Sequence, residues 1–257
     1  MHSLHIVRSL KMCEGCYFFT EVYMKSKLKA LKCYFTPFEL ILFLLSAAVM
    51  TAAFVIFKGA DALSYTASLI GAASLLLSAK GNPLGQALII VFSVIYSYIS
   101  FSRRYYGEML TYAGMTAPMA AASLCVWLKN PFGSSHSQVR VRSAEKKELA
   151  LIALLTVPVT ILFYFLLRFL GTASIIPSTL SKATSFLAVS LTLRRCALYA
   201  LAYAANDLVL IALWLPACFD NTSYVPVLTC FAVFLVHDIY GFFNWNRLRK
   251  LQSANAP

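Results

Sequence analysis

The side chains best equipped for chemistry lie inside long apolar stretches. Asn206-Asp207 falls at the middle of the run Cys196–Ala217, His237-Asp238 toward the end of Tyr224–Phe243, and Lys182 near the start of Thr179–Leu193. Ionisable groups at membrane depth are costly and face a cavity or one another, so they mark candidate sites. Tyr199, Tyr203 and Asn206 follow at spacings of four and three, which places them on one helical face. Such a face can stack a flat ring and hydrogen-bond its hydroxyls, with Asp207 nearby to favour positive charge. Asn82, Gln86, Ser93, Tyr96, Ser97 and Ser100 form a second polar stripe at three-to-four spacing. It can face the same cavity, or its hydroxyls can serve helix packing. The candidate binding residues are therefore Asn206, Asp207, Tyr199, Tyr203, Tyr96, Gln86 and Asn82. Asp238 admits two readings, packing and function. Tyr105, Tyr106, Tyr112, Tyr224, Trp127 and Trp245 read as an interfacial aromatic belt.

Covalent chemistry finds no template. Intramembrane metal catalysis needs several convergent His or carboxylate ligands, and His237 alone of the four histidines lies in an apolar run. Gly133-Ser134-Ser135-His136 lacks the strand-turn-helix setting of a nucleophile elbow. Nothing resembles a phosphate-cradling glycine loop that would hydrolyse a nucleotide. Cys13-Glu14-Gly15-Cys16 has CxxC spacing without a second ligand pair, and seven cysteines imply no disulfide framework. The expectation is a protein that is not an enzyme and needs neither metal nor cofactor.

The elements that must position these residues follow from composition. Of 257 residues, 60% are apolar and 12% charged, and the mean hydropathy is +0.73. That is too little charge to coat a soluble globule, so the chain reads as an all-α integral membrane protein. Eight apolar runs qualify as spans: Phe38–Phe57, Ala62–Ala79, Leu84–Phe101, Met109–Trp127, Leu149–Leu167, Thr179–Leu193, Cys196–Ala217 and Tyr224–Phe243. The sixth is short and contains Lys182, so it is expected to pack inside the bundle or to take length from its flanks. Turn and charge signals separate the runs, including Lys58-Gly59, Gly81-Asn82-Pro83, Arg103-Arg104, the Gly133-to-Glu148 loop and Arg194-Arg195. Residues 1–37 form a basic N-terminal segment, 38–250 the transmembrane part and 251–257 a tail. Met24 is a possible start.

The net charge of +12 does not signal nucleic acid here, because its distribution is that of a polytopic protein. With the N-terminus inside, seventeen basic residues fall on the inner side against Lys58, Arg103, Arg104 and Arg168 outside. The expected location is the cytoplasmic membrane, with both termini cytoplasmic. There is also a faint duplication. Leu63-Ser64 and Ser68 recur as Leu180-Ser181 and Ser185, 117 residues on, and Trp127-Leu128-Lys129 recurs as Trp245-Asn246-Arg247, 118 on. Transporters are often built from such repeats. The expected plan is one leading helix, a triplet over 62–127, a linking helix over 149–167 and a parallel triplet over 179–245, a 3+1+3 arrangement.

Residues 38–250 resemble the PnuC-type vitamin transporter family, whose best-known members carry nicotinamide riboside. The resemblance rests on the Ala62–Trp127 triplet with its Gly81-Asn82-Pro83-Leu84-Gly85 turn, on Asn206, and on the closing Asp238-Ile-Tyr-Gly-Phe-Phe-Asn-Trp-Asn-Arg stretch. It implies a full-length relative of the SWEET sugar-transporter fold, often a homotrimer. Such a protein imports its vitamin by facilitated, alternating-access diffusion between the triplets, and a separate cytoplasmic kinase traps the substrate. Asn206 matches the family's asparagine in the seventh helix, and Tyr199 falls where a stacking aromatic is common. This chain departs from relatives that carry tryptophans one and two turns earlier, having Ala202 and Tyr199 there. Nicotinamide riboside and thiamine are both cations that Asp207 would suit; a membrane receptor that binds without flux is the reading from a different class.

Overall fold

The structure is a computed structural model that describes residues 34–57, 61–102, 105–133, 137–172 and 174–254. Cys13–Cys16, Met24, Lys58-Gly59, Arg103-Arg104 and residues 134–136 lie outside the described residues. The described residues divide between Leu44 and Leu45 into two units. In the first, helix α1 (Pro37–Phe57) begins with proline at its first position and a reciprocal cap. The Thr36 amide donates to Glu39 Oε2 at 2.7 Å, and the Glu39 amide donates to Thr36 Oγ1 at 3.3 Å.

The second unit holds the remainder of α1 followed by α2 (Ala62–Ala79), α3 (Pro83–Ser102), α4 (Tyr106–Lys129), α5 (Lys146–Phe169), α6 (Ile175–Leu193), α7 (Leu198–Asp220) and α8 (Val225–Ala254). All the helices except α6 are long and apolar enough to cross a membrane. The sixth run does take length from its flank, starting at Ile175 rather than Thr179, and Lys182 lies buried within it. Helix α8 runs well beyond its apolar stretch to Ala254, and Gln252 is buried. Helix α4 passes through a π-helical turn at Tyr112–Thr116, just before Pro118. Proline has no amide to donate four residues back, and its ring crowds that carbonyl, so the ladder widens there.

Helices α2, α3, α4, α6, α7 and α8 pack in that order as a ring that closes through α8 on α2, and α5 lies outside it against α6. Each contact within α2–α4 has its counterpart within α6–α8, as expected of two parallel triplets joined by one linking helix. The turns agree in detail. After α2, the Asn82 amide reaches the Leu77 carbonyl at 3.0 Å and the Gly81 amide the Ser78 carbonyl at 2.9 Å; after α6, Cys196 reaches Leu191 at 3.1 Å and Arg195 reaches Thr192 at 3.0 Å. Both are Schellman endings, with Gly81 (φ 69°) and Arg195 (φ 58°) in the left-handed conformation that lets the last carbonyls be satisfied. These turns fix a register of 114 residues for the first two helices of each triplet. The Ser64/Ser181 match is therefore three residues out of register, whereas the Trp127/Trp245 match stands.

The two tryptophans are not interfacial belt residues, because both are fully buried. Trp127 Nε1 donates to the Thr192 carbonyl at 3.1 Å, and Trp245 Nε1 donates to the Ser78 carbonyl at 2.8 Å. Each indole thus satisfies the final turn of the first helix in the opposite triplet, and the rings meet at 5.4 Å between centroids. The middle loop covers the same end. Its Val139 amide donates to the Gly81 carbonyl at 2.9 Å and its Arg142 amide to the Arg195 carbonyl at 3.0 Å, so it binds the two equivalent turn residues. Gln252 holds the loop from α8, accepting from the Val141 amide at 2.7 Å and donating to the Val139 carbonyl at 3.0 Å. Glu148 bridges Arg142 at 3.2 Å and Arg194 at 3.4 Å. Burial, and then Arg142 and Arg140, hold the Arg195 guanidinium below its ordinary pKa.

Trp127→Phe and Trp245→Phe keep an aromatic ring and lose one N–H each. Thermal denaturation in detergent is expected to show similar losses for the two, about 1 kcal/mol each. A large loss for one and none for the other would show that the latches are not equivalent.

Candidate functional site

Within the ring lies a cavity of about 90 Å³, lined from every ring helix. Its wall repeats the duplication: Gly71 and Ser185, Leu75 and Val189, Ile89 and Tyr203, and Phe92 and Asn206 are pairs at the 114-residue register, and all eight line it. Thr116 and Phe234, paired at the tryptophan register, line it as well.

Asn206 is buried on α7, and three hydroxyls from α6 converge on its side-chain oxygen: Ser181 at 3.0 Å, Thr184 at 3.0 Å and Ser185 at 3.1 Å. With the oxygen so occupied, the amide NH₂ is the end left to donate to a ligand. Asp207 is also buried in the wall, and its Oδ2 has no hydrogen-bond partner. Asp238, from α8, lines the same cavity with its side chain against that of Asp207. Asp238 thus both faces the cavity and pairs with the neighbouring helix, a position that fits packing and function alike. Its neighbour His237 turns away, placing Nε2 3.0 Å from Ser46 Oγ on α1.

Tyr203 lines the cavity, but Tyr199 does not. It is buried in the aromatic core beneath it, 4.8 Å from the Trp245 ring and 6.1 Å from Tyr203. Tyr96 lines a neighbouring cavity of about 80 Å³ together with Tyr105, Trp214 and Tyr224. Asn82 and Gln86 are outside both cavities. Asn82 Oδ1 accepts from the Leu84 amide at 2.9 Å and caps α3, while Gln86 donates to Ser78 Oγ at 3.3 Å. The sequence stripe thus divides: its lower end serves the turn, and its upper end faces a cavity.

Phe92, Glu108, Tyr112, Phe231 and Phe234 belong to both cavities and form the partition between them. The Phe92 ring lies 5.7 Å from Tyr112 and 6.3 Å from Phe234, so Tyr112 is a cavity residue, contrary to its reading as an interfacial belt tyrosine. Gly71 leaves room beside this partition, since a Cβ there would come within 2.7 Å of Phe234 Cζ and displace that ring. The Lys182 ammonium, buried in the wall, meets Glu108 Oε1 at 2.7 Å. Glu108 also borders a third, larger cavity of about 450 Å³ with Thr172, Ser174 and Trp214. Among the described residues, no group of three or more His, Cys, Asp or Glu side chains is placed to hold a metal ion.

Sequence reasoning brought Asn206, Asp207 and Tyr203 to one wall. It missed the hydroxyl set and the partition. The hydroxyls carried a signal, since Ser181, Thr184 and Ser185 stand at helical spacing on one face. Phe92, Tyr112 and Phe234 carried none, being indistinguishable from lipid-facing aromatics along an apolar run.

A closed ring of long apolar helices around a cavity that holds buried polar side chains is the architecture of a multi-pass membrane protein, and the family the chain matches makes it a transporter. The chain belongs to the nicotinamide mononucleotide transporter family, whose model matches residues 61–247. It is 25% identical over 224 residues to a nicotinamide riboside transporter PnuC of Neisseria mucosa, covering 85% of this chain and 84% of the relative. It also shares the fold of a crystal structure of the vitamin B3 transporter PnuC. The TM-score is 0.73 at 22% identity, covering 85% of this chain and 94% of that one.

The Lys182–Glu108 pair generates a stability prediction. Glu108→Gln leaves a buried ammonium without its counter-ion and is expected to cost about 3–5 kcal/mol. Adding Lys182→Met should recover part of that loss, which chemical or thermal denaturation of the two variants checks.

Proposed function

We propose that this protein imports nicotinamide riboside across the cytoplasmic membrane by facilitated diffusion, with both termini cytoplasmic. The observation that carries this reading is the acidic lining of the cavity. Glu108, Asp207 and Asp238 face it against one cation, Lys182, which is already paired. A phosphate entering would find no free positive group among the lining residues and three acids nearby, and a buried unpaired charge is strongly disfavoured. The family's description names the mononucleotide and the Neisseria relative's name the riboside; the cavity favours the second. A nicotinamide ring is flat and cationic, which suits Tyr203, Phe92 and Tyr112 together with the acids. The Asn206 NH₂ supplies a donor for a ribose oxygen.

Movement proceeds by alternating access of the two triplets, in the manner of a full-length SWEET relative. Opening the end closed by the tryptophan latches would release substrate inward, where a separate kinase would trap it as its phosphate. The positive charge gathered at Arg140, Arg142, Arg194, Arg195, Arg247 and Arg249 supports assigning that end to the cytoplasm. The apolar face of α5, with Leu151, Leu154, Leu162 and Phe165 exposed, is available to lipid or to the neighbours in a homotrimer.

The test is uptake of radiolabelled nicotinamide riboside into proteoliposomes holding only this protein, with thiamine, riboflavin and nicotinamide mononucleotide as competitors. Saturable uptake that requires no imposed proton gradient and is not blocked by the mononucleotide is expected. A thiamine signal alone would reassign the vitamin, and binding without flux would make the protein a receptor. Asn206→Ala should weaken riboside binding by about 1–3 kcal/mol, and unchanged affinity would remove α7 from the site.

A further inference from the structure

Asp207 and Asp238 are both buried, line one cavity and touch side chain to side chain. Two carboxylates in contact cannot both be ionised cheaply, and one of them must donate a proton to the other. The elements packed around them offer no counter-ion. On α7 itself stand Tyr199 and Tyr203. Helix α4 presents Tyr112 and Glu108, and α6 presents Lys182, whose ammonium is held by Glu108 at 2.7 Å. On α8, His237 is turned to Ser46. Helices α2 and α3 contribute Gly71, Ser74, Leu75, Ile89 and Phe92 to the wall, none of them charged. Asp207 Oδ2 remains as a buried oxygen without a protein partner, in the wall where a ligand would sit.

We propose that Asp207 and Asp238 form a cation-for-proton exchange site. In the empty cavity both acids carry protons, because a lone negative charge buried at membrane depth has nothing to compensate it. When an organic cation enters, one O–H bond of the pair breaks, its proton leaves to solvent, and the resulting carboxylate faces the cation through Asp207 Oδ2. Asp238 keeps its proton and donates it to that carboxylate. The site is electrically neutral before and after, one positive charge replacing another. Neutral vitamins gain nothing from the exchange, so the pair selects for cations by charge. The inference rests on the reading of the cavity as a vitamin site, but not on which vitamin fills it.

The sign follows from linkage. Binding releases a proton, so affinity for a cation must rise with pH, by close to tenfold per pH unit for one proton. The experiment is titration calorimetry on the purified full chain from about pH 5.5 to about pH 7.5. The probes are nicotinamide riboside and thiamine as cations and reduced nicotinamide riboside as an uncharged ring of similar shape. A pH-indicator dye in weakly buffered solution counts the protons released. The expected result is a steep slope and about one proton per bound cation, a flat profile for the neutral probe, and loss of both slope and proton release for the cations in Asp207→Asn. A flat profile for the cations in the wild-type protein overturns the exchange, as does an equal slope for the neutral probe; neither outcome depends on the variant folding. Thiamine binding with the slope, while riboside does not bind, would sink the riboside assignment and leave the exchange standing. Failure of both cations to bind at every pH would overturn both readings.

Discussion

Two indole N–H groups, each bonded to the final-turn carbonyl of a helix in the opposite triplet, hold the ring in register. In a membrane there is no apolar gain in joining helices that lipid already solvates, so register must come from packing and from polar groups that have nowhere else to go. The buried indole N–H is such a group, and the Ser78 and Thr192 carbonyls, each already accepting one Schellman amide, take it with their second lone pair. The loop over 137–142 extends the same logic, satisfying the Gly81 and Arg195 carbonyls that the tight turns expose. One end of the ring is thereby closed by hydrogen bonds that cross between triplets, and any motion that opens it must break them together.

The cavity above this closure is governed by the cost of uncompensated charge. Lys182 and Glu108 solve the problem as an ion pair, one member buried and the other at the border of three cavities. Asn206 solves it by hydrogen bonding, its oxygen saturated by three hydroxyls, which also fixes the direction of its amide. Asp207 and Asp238 have only each other, so they are the polar groups of the wall whose state a ligand can change. Around the pair, the Lys182 ammonium and the Asn206 oxygen are already committed to partners.

Much of this was legible in the sequence, for identifiable reasons. The helices were, because hydrocarbon thickness imposes a length that few other constraints mimic. Asn206 and Asp207 were, because a polar pair at the centre of a long apolar run must either fix helix packing or face a cavity. Tyr199 misled, since the spacing that puts it on the face of Asn206 says nothing about depth, and one turn lower the face meets Trp245 instead of the cavity. Asn82 and Gln86 misled in a related way, as a polar stripe continues from the cavity wall into the turn without any change in residue type. Trp127 and Trp245 look like membrane-interface residues by position, and only the carbonyls presented by the other triplet make burial favourable for their N–H groups. The Ser64/Ser181 match came from composition rather than from geometry, and the turns place Ala67, not Ser64, opposite Ser181.

That register also explains how a symmetric scaffold acquires a site for an asymmetric molecule. Where α7 carries Tyr203, Asn206 and Asp207, the equivalent positions of α3 carry Ile89, Phe92 and Ser93. Where α6 places Ser185 in the wall, α2 places Gly71. At these positions α6 and α7 have become the polar wall and α2 and α3 the more apolar one, with Phe92 leaning toward Phe234 over the gap that Gly71 leaves. Ser93 retains a trace of the common pattern, since its buried hydroxyl, like Asp207 Oδ2, lacks a partner. The duplication supplies two matched halves. Divergence at a handful of facing positions gives the space between them a charged side and a flat side, and a ligand with a positive ring and a polar arm can satisfy both only in one orientation.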